Sequence, residues 1–115
     1  MKPVRWIGSS YEDFLSFPGD VLDSMGYALY RAQQGGKHTS AKPLKGFRGA
    51  GVVELVESHD GNAYRAVYTV RFESAIYVLH AFQKKSRSGI KTDKADIAMV
   101  ERRLPIAEAH AREKG

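Results

Sequence analysis

Arg65 is a charged residue in the interior of a predicted β-strand, a position that small soluble domains rarely give to arginine. The next predicted strand ends in Lys84 and Lys85, and Arg87 lies in the loop that follows it. A guanidinium held by a strand can bind a phosphate or a carboxylate through two parallel hydrogen bonds. These residues therefore predict a surface that holds a phosphate group.

A carboxylate of the protein itself is the alternative partner for Arg65. Side chains alternate across a strand, so Arg65 points to one fixed face of the predicted strand at residues 63–71. Glu54 and Glu57 lie on the preceding predicted strand and can form a structural ion pair with Arg65. The residue types leave open whether Arg65 binds an external phosphate or an internal carboxylate.

His80 is a second titratable residue inside a predicted strand, at residues 76–84. An imidazole titrates near neutral pH and can act as a general acid or base. Because the neighbours of His80 are apolar, we expect a buried, hydrogen-bonded histidine rather than a catalyst. Strict alternation places five residues of this strand on one face, namely Ile76, Val78, His80, Phe82 and Lys84.

The other histidines give no sign of a metal site. His38, His59 and His110 form no metal-ligand spacing with one another or with carboxylates. No nucleophile motif of the Gly-x-Ser-x-Gly kind occurs either. The sequence therefore predicts no metal site and no cofactor.

Basic residues are concentrated in two segments that contain no acidic residue. The chain has 18 Lys and Arg against 13 Asp and Glu, a formal net charge of +5. Two local basic patches predict contact with a polyanion at one face, and ordinary solvated lysines are the alternative interpretation. The two segments lie between Asp23 and Glu54 and between Glu73 and Asp93, and they include Lys42, Lys45, Arg48 and Lys91.

The 115 residues fit one domain, residues 1–115, with a single hydrophobic core. Apolar periodicity and turn residues predict the order β-α-α-β-β-β-α, with the three central strands as an antiparallel meander. We expect an α+β fold whose antiparallel sheet carries the helices mainly on one face and leaves the other open to a partner. The predicted elements are a strand at 4–7, a short helix from Ser10, a helix at 20–34, a loop at 37–51, strands at 52–58, 63–71 and 76–84, and a helix from Asp93 that Pro105 should end or kink.

Composition excludes several classes of protein. The chain has no cysteine, so disulfides and thiolate metal sites are excluded. No apolar stretch approaches the ~20 residues that a membrane-spanning helix needs, and the first residues lack the apolar core of a secretion signal. We expect a soluble, cytoplasmic protein.

Four motifs follow one another between residues 42 and 104. They are Lys-x-Leu-x-Gly before a Glu-Leu strand, Tyr-Arg-x-x-Tyr, His-x-Phe-x-Lys-Lys, and a threonine before a helix. In order and spacing they resemble the RelE/HigB superfamily of toxins, in particular its phage-derived branch. The matching residues are Lys42, Leu44, Gly46, Glu54, Leu55, Tyr64, Arg65, Tyr68, His80, Phe82, Lys84, Lys85 and Thr92.

This resemblance implies a RelE-like fold and the toxin half of a type II toxin–antitoxin pair. Such toxins are ribosome-dependent mRNA endonucleases that cut the message in the ribosomal A site. The resemblance implies a metal-independent reaction in which a ribose 2′-OH attacks the adjacent phosphate. The implied partners are the ribosome, mRNA and a helix-turn-helix antitoxin of the HigA-like kind, with no membrane.

The resemblance also implies roles for individual residues. Arg65 would stabilise the negative charge of the phosphorane, and Glu54 would be either a base or the partner of Arg65. The predicted strand at 52–58 offers Glu54 where some members of the superfamily have lysines, and the C-terminal tail lacks their tyrosine. A catalytically degenerate module that binds RNA or protein is therefore the alternative function. The remaining implied roles are phosphate neutralisation or proton donation by Lys84, Lys85 and Arg87, and binding of the RNA backbone by Lys42, Lys45, Arg48 and Lys91.

Overall fold

The computed structural model of the protein describes residues 1–84 and 92–114. Within these ranges the predicted α+β class and the order of the main elements are confirmed, and the predicted strand at 76–84 has the predicted bounds. In chain order the elements are β1 (Val4–Trp6), α1 (Ser10–Leu15), α2 (Gly19–Gln33), β2 (Ala41–Pro43), β3 (Val52–His59), β4 (Asn62–Thr69), β5 (Ile76–Lys84) and α3 (Lys94–Lys114).

The sheet is mixed, with the strand order β1-β5-β4-β3-β2. The strands β3, β4 and β5 form the predicted antiparallel meander, whereas β1 pairs with β5 in parallel. Asp60 and Gly61 make the two-residue turn between β3 and β4, with φ angles of 50° and 79°. Positive φ at both central residues is typical of the tight hairpin turn that matches strand twist, and it fixes the register of Glu54 opposite Val67.

Helices cover both faces of the sheet. The helices α1 and α2 pack on the face that carries Tyr64, Ala66 and Tyr68. On the other face, Val100 of α3 packs in one cluster with Val67 of β4. The expectation of helices mainly on one face, with the other left open, is therefore corrected: α3 buries its apolar side against that second face.

A β-bulge at Leu79 interrupts the alternation of β5. Val67 pairs with His80, but its neighbour Tyr68 pairs with Val78, so Leu79 is an extra residue without a partner on β4. An extra residue moves the following side chains to the opposite face. The prediction that five residues of this strand share a face is wrong for this reason. Ile76 and Val78 face α1 and α2, whereas His80, Phe82 and Lys84 face the side of Arg65 and α3.

Two smaller differences concern β2 and α3. The predicted loop at 37–51 contains β2, which pairs antiparallel with β3 and sets Lys42 opposite Glu54. The helix α3 does not end at Pro105 but continues to Lys114. Proline removes one helical hydrogen bond. Burial of Ala107 and Ala111, which follow Pro105 in α3, against the sheet offsets that loss.

In the described parts of the chain, no helix has the length and apolarity to cross a membrane.

Candidate functional site

Arg65 and Glu54 form a buried ion pair on the α3 side of the sheet. Arg65 Nη1 lies 3.0 Å from Glu54 Oε2, and the two side chains are 2% and 5% exposed. Glu54 stands opposite Val67, two residues beyond Arg65 on β4, so both side chains share a face. Glu57 faces α2 and accepts a hydrogen bond from Ser24 at 2.8 Å. Of the two candidate partners, Glu54 is the one that binds Arg65.

Thr92, just before α3, completes this buried group. Its hydroxyl donates a hydrogen bond to Glu54 Oε2 at 2.6 Å. Arg65 Nη1 lies 3.4 Å from the same hydroxyl oxygen. Short hydrogen bonds to a carboxylate are stronger than those between neutral groups. The Glu54 carboxylate is thus bound from β4 by a cation and from the start of α3 by a hydroxyl.

Two further polar contacts join β5 to the start of α3. His80 Nε2 lies 2.8 Å from Asp96 Oδ1, and the ring stacks on Phe82 with centroids 4.6 Å apart. Lys84 Nζ donates to Asp93 Oδ1 at 2.9 Å. The expectation of a buried, hydrogen-bonded His80 is confirmed, since the residue is 8% exposed. Its Nδ1 atom is buried and has no hydrogen-bond partner among the described residues.

An open cleft of about 530 Å³ adjoins the Glu54 carboxylate. Glu54 and Thr92 line it together with Lys42 and Lys45, whose side chains are exposed. Pro43, Leu44 and Ile97 supply its apolar lining. Arg65 does not line the cleft and contacts Glu54 and Thr92 from within the protein. The cleft therefore combines a cationic rim, an apolar wall and one carboxylate.

The predicted site residues divide into three groups. Arg65, Glu54 and Lys84 lie on one face of the sheet, against the start of α3. Lys42 and Lys45 lie beside Glu54, and Arg48 is exposed at an adjacent cleft of about 520 Å³ that also includes Lys45. Lys85, Arg87 and Lys91 lie outside the described residues.

Sequence reasoning missed the acidic partners Asp93 and Asp96. Both lie in the segment that opens α3, where carboxylates interact favourably with the helix dipole. Because acidic residues are common at the start of helices for this reason, their presence there did not point to a partner on the sheet. Their three-residue spacing places them on neighbouring positions of a helix face, and this was the signal available in the sequence. No group of three or more potential metal ligands occurs in residues 1–84 or 92–114.

The mixed five-stranded sheet with three helices defines an α+β protein consistent with the RelE-like fold. The family model described as Phage derived protein Gp49-like (DUF891) matches residues 12–105. The match spans most of the chain, and the chain belongs to this family, which is of the RelE/ParE-like toxin type. Searches of curated proteins and of solved structures found no match.

Proposed function

We propose that this protein is the toxin of a type II toxin–antitoxin pair, of the HigB branch, and cleaves mRNA in the ribosomal A site. The placement of Arg65, Glu54 and Lys84 on one sheet face, beside a cleft edged by Lys42 and Lys45, carries this proposal. Membership of a toxin-like family related to RelE-like ribonucleases supports it. The reaction proposed is attack of a ribose 2′-OH on the adjacent phosphate.

The Arg65–Glu54 pair gives this reaction two of its needs. Arg65 lies behind Glu54 and does not line the cleft, so a phosphate that enters the cleft reaches the guanidinium only when Arg65, 3.0 Å from the carboxylate, moves away from Glu54 and towards the phosphate. Transfer of Arg65 to the phosphate stabilises the negative charge of the transition state, an effect commonly worth about 10²–10³ in rate. The same transfer releases Glu54 to accept the proton of the 2′-OH. Lys84 adds positive charge on the same face, and Lys85 and Arg87 complete the catalytic set that we propose.

The exposed basic residues bind the RNA backbone in this proposal. Each phosphate contact contributes about 0.7–0.9 to the slope of log affinity against log salt. Neutralising three contacts should therefore lower that slope by about 2–3 for binding to ribosomes that carry mRNA. Lys91 belongs to the same proposed surface. The test compares a triple Gln variant of Lys42, Lys45 and Arg48 with a control of equal charge, the triple Gln variant of the exposed residues Arg5, Arg102 and Lys114, which lie outside both basic segments.

The partner that we propose is a helix-turn-helix antitoxin of the HigA-like kind. Family membership implies an antitoxin. It would neutralise the toxin by covering the basic surface or by preventing entry into the ribosome. Co-expression with the protein encoded by the neighbouring gene should restore growth and yield a complex that purifies intact. A neighbouring protein that neither binds nor protects would contradict this part of the proposal.

A catalytically degenerate module that binds RNA or protein is the second candidate function. The burial of Arg65 favours it, because a guanidinium that is 2% exposed and paired with Glu54 also serves as a structural ion pair. In this case the cleft and its lysines would still bind a polyanion. The two functions differ in a single observable, the cleavage of message.

Cleavage is best measured in a purified translation system. The proposed toxin should cut a message that carries translating ribosomes and leave the same RNA intact when ribosomes are omitted. Primer extension should locate new 5′ ends within the codons of the A site, and induction in cells should arrest growth. Normal growth at high levels of folded protein, without new 5′ ends, would establish the degenerate module instead.

A further inference from the structure

Arg103 of α3 binds the carbonyl group of the β5 bulge. Leu79 is the residue of β5 that has no partner on β4. Arg103 Nη1 donates a hydrogen bond to Leu79 O at 2.9 Å, and Nη2 donates to Ser9 Oγ at 3.1 Å. A bulge leaves its extra residue outside the regular ladder of hydrogen bonds. A cation from α3 supplies a hydrogen bond to the carbonyl at this point.

The backbone at Gly8 leaves room for this guanidinium. Gly8 has a φ of +59°, and a Cβ atom built on it would lie 2.8 Å from Arg103 Cζ. Real Cβ atoms do not approach other atoms so closely. Positive φ is also unfavourable for residues other than glycine. Both the conformation and the space at position 8 therefore fit an arginine that reaches the bulge.

Residues between the end of β1 and the start of α1 bind the carbonyl that precedes the bulge. The carbonyl of Val78 accepts hydrogen bonds from Ile7 N at 3.0 Å and from the buried Ser10 hydroxyl at 3.1 Å. Burial lowers the pKa of the Arg103 guanidinium, against the opposing effect of Asp13, but an arginine stays charged at all ordinary pH values. Consecutive carbonyls at positions 78 and 79 are thus bound by groups outside the β4–β5 pairing.

We propose that Arg103 is a positioning residue: by binding Leu79 O it keeps the bulge in place and His80, Phe82 and Lys84 on the face of Arg65. Side chains on a strand have a period of two, so loss of the extra residue would turn the end of β5 over. His80 would then face α1 and lose Asp96, and Lys84 would leave Arg65. The functional part of this inference rests on the proposed nuclease site, whereas the structural part does not.

The test compares Arg103→Met with Arg102→Met, an exposed neighbour on the same helix that serves as the matched control. Cross-strand NOE contacts between Val67 and His80, and the imidazole signals of His80, report the register directly in this 12.8 kDa protein. We expect Arg103→Met to weaken these contacts and shift these signals, and to lower ribosome-dependent cleavage about 10- to 100-fold by misplacing Lys84. The control variant should match the wild type in both measurements.

An unchanged Val67–His80 contact in Arg103→Met would overturn the proposal, whatever happens to cleavage. If the wild type shows no cleavage, the proposed function fails, and the NMR register still decides whether Arg103 holds the bulge. If Arg103→Met does not fold, Arg103→Lys keeps the charge and one donor, and a partial shift of the His80 signals is then expected. Gly8→Ala places a methyl group where the Arg103 guanidinium lies and should shift the same His80 signals. Wild-type His80 signals in both Arg103→Lys and Gly8→Ala would refute the inference.

Discussion

Replacement of Arg65 by methionine should destabilise the fold severely, whatever its effect on catalysis. Methionine keeps much of the volume of the side chain and removes its charge. Glu54, which is 4% exposed, then keeps the Thr92 hydroxyl but loses the cation at 3.0 Å. A carboxylate buried without its cation is among the costliest defects that one substitution can create.

The magnitude follows from the distance and the burial. At an effective dielectric constant of about 20, two unit charges at this separation interact by about 5 kcal/mol. Removal of one partner from buried pairs typically costs about 3–5 kcal/mol. We expect a loss in this range for Arg65→Met and, separately, for Glu54→Leu. For a domain of this size the corresponding fall in melting temperature is about 12–20 °C.

The decisive variant combines both substitutions. Arg65→Met with Glu54→Leu removes both charges of this pair, and apolar replacements of buried ion pairs are often neutral or stabilising. We therefore expect the double variant to lie within about 1 kcal/mol of the wild type. Urea unfolding followed by the fluorescence of Trp6, the single tryptophan, measures all four proteins under the same conditions.

Two results would refute this reasoning. A loss below about 1 kcal/mol in either single variant would mean that the pair is solvated rather than buried. If the free energy of unfolding of the double variant were no higher than that of the less stable single variant, the cost of each single substitution would not come from leaving the other charge unpaired. The same four proteins also separate stability from catalysis. Loss of toxicity in an unstable single variant does not identify a catalytic residue, whereas a folded double variant that cannot cleave does.

Three further predictions address other parts of the fold. Burial raises the pKa of the Tyr68 hydroxyl from 10.0 to about 12. The hydroxyl therefore loses its proton at lower pH in the unfolded chain than in the folded protein, and the free energy of unfolding falls as pH rises from about 10 towards 12. Urea unfolding should show a loss of up to about 2–3 kcal/mol over this window, and Tyr68→Phe should lack it while the exposed control Tyr30→Phe retains it. Pro105→Ala should stabilise α3 by about 1–3 kcal/mol because a helical hydrogen bond is restored, and a lower melting temperature would contradict this. Asp96→Asn should leave the fold intact but shift the His80 imidazole signals, since the carboxylate lies 2.8 Å from Nε2, and unchanged signals would show that the contact is not formed in solution.

The sequence predicted the strands and helices well because their apolar periods are strong. The faces of β4 followed from alternation alone, and Arg65 lies where that alternation places it. The sequence also contained enough information to choose Glu54 rather than Glu57 as the partner of Arg65. A two-residue turn at Asp60-Gly61 sets the register of β3 on β4, and in that register only Glu54 shares the face of Arg65.

The bulge in β5 could not be predicted from residue types. Residues 76–81 are buried on both faces of the sheet, so an apolar pattern continues through Leu79 whether or not a residue is inserted. The partner of the bulge carbonyl, Arg103, is 24 residues away along the chain. The location of Lys84 relative to Arg65 therefore depends on a tertiary contact, and only the three-dimensional structure reveals it.

If the proposed function is correct, the pairing of Arg65 with Glu54 gives a physical reason why the toxin would need the ribosome. A phosphate must displace Glu54 from Arg65 at 3.0 Å before it can be stabilised. Free RNA at low concentration offers one phosphate against a carboxylate that is held permanently in place, an exchange with little net gain. A message fixed in the A site presents its phosphates at a high effective concentration and excludes water, and both effects favour the exchange. The Arg65–Glu54 ion pair would then restrict cleavage to the one setting in which the substrate is already held.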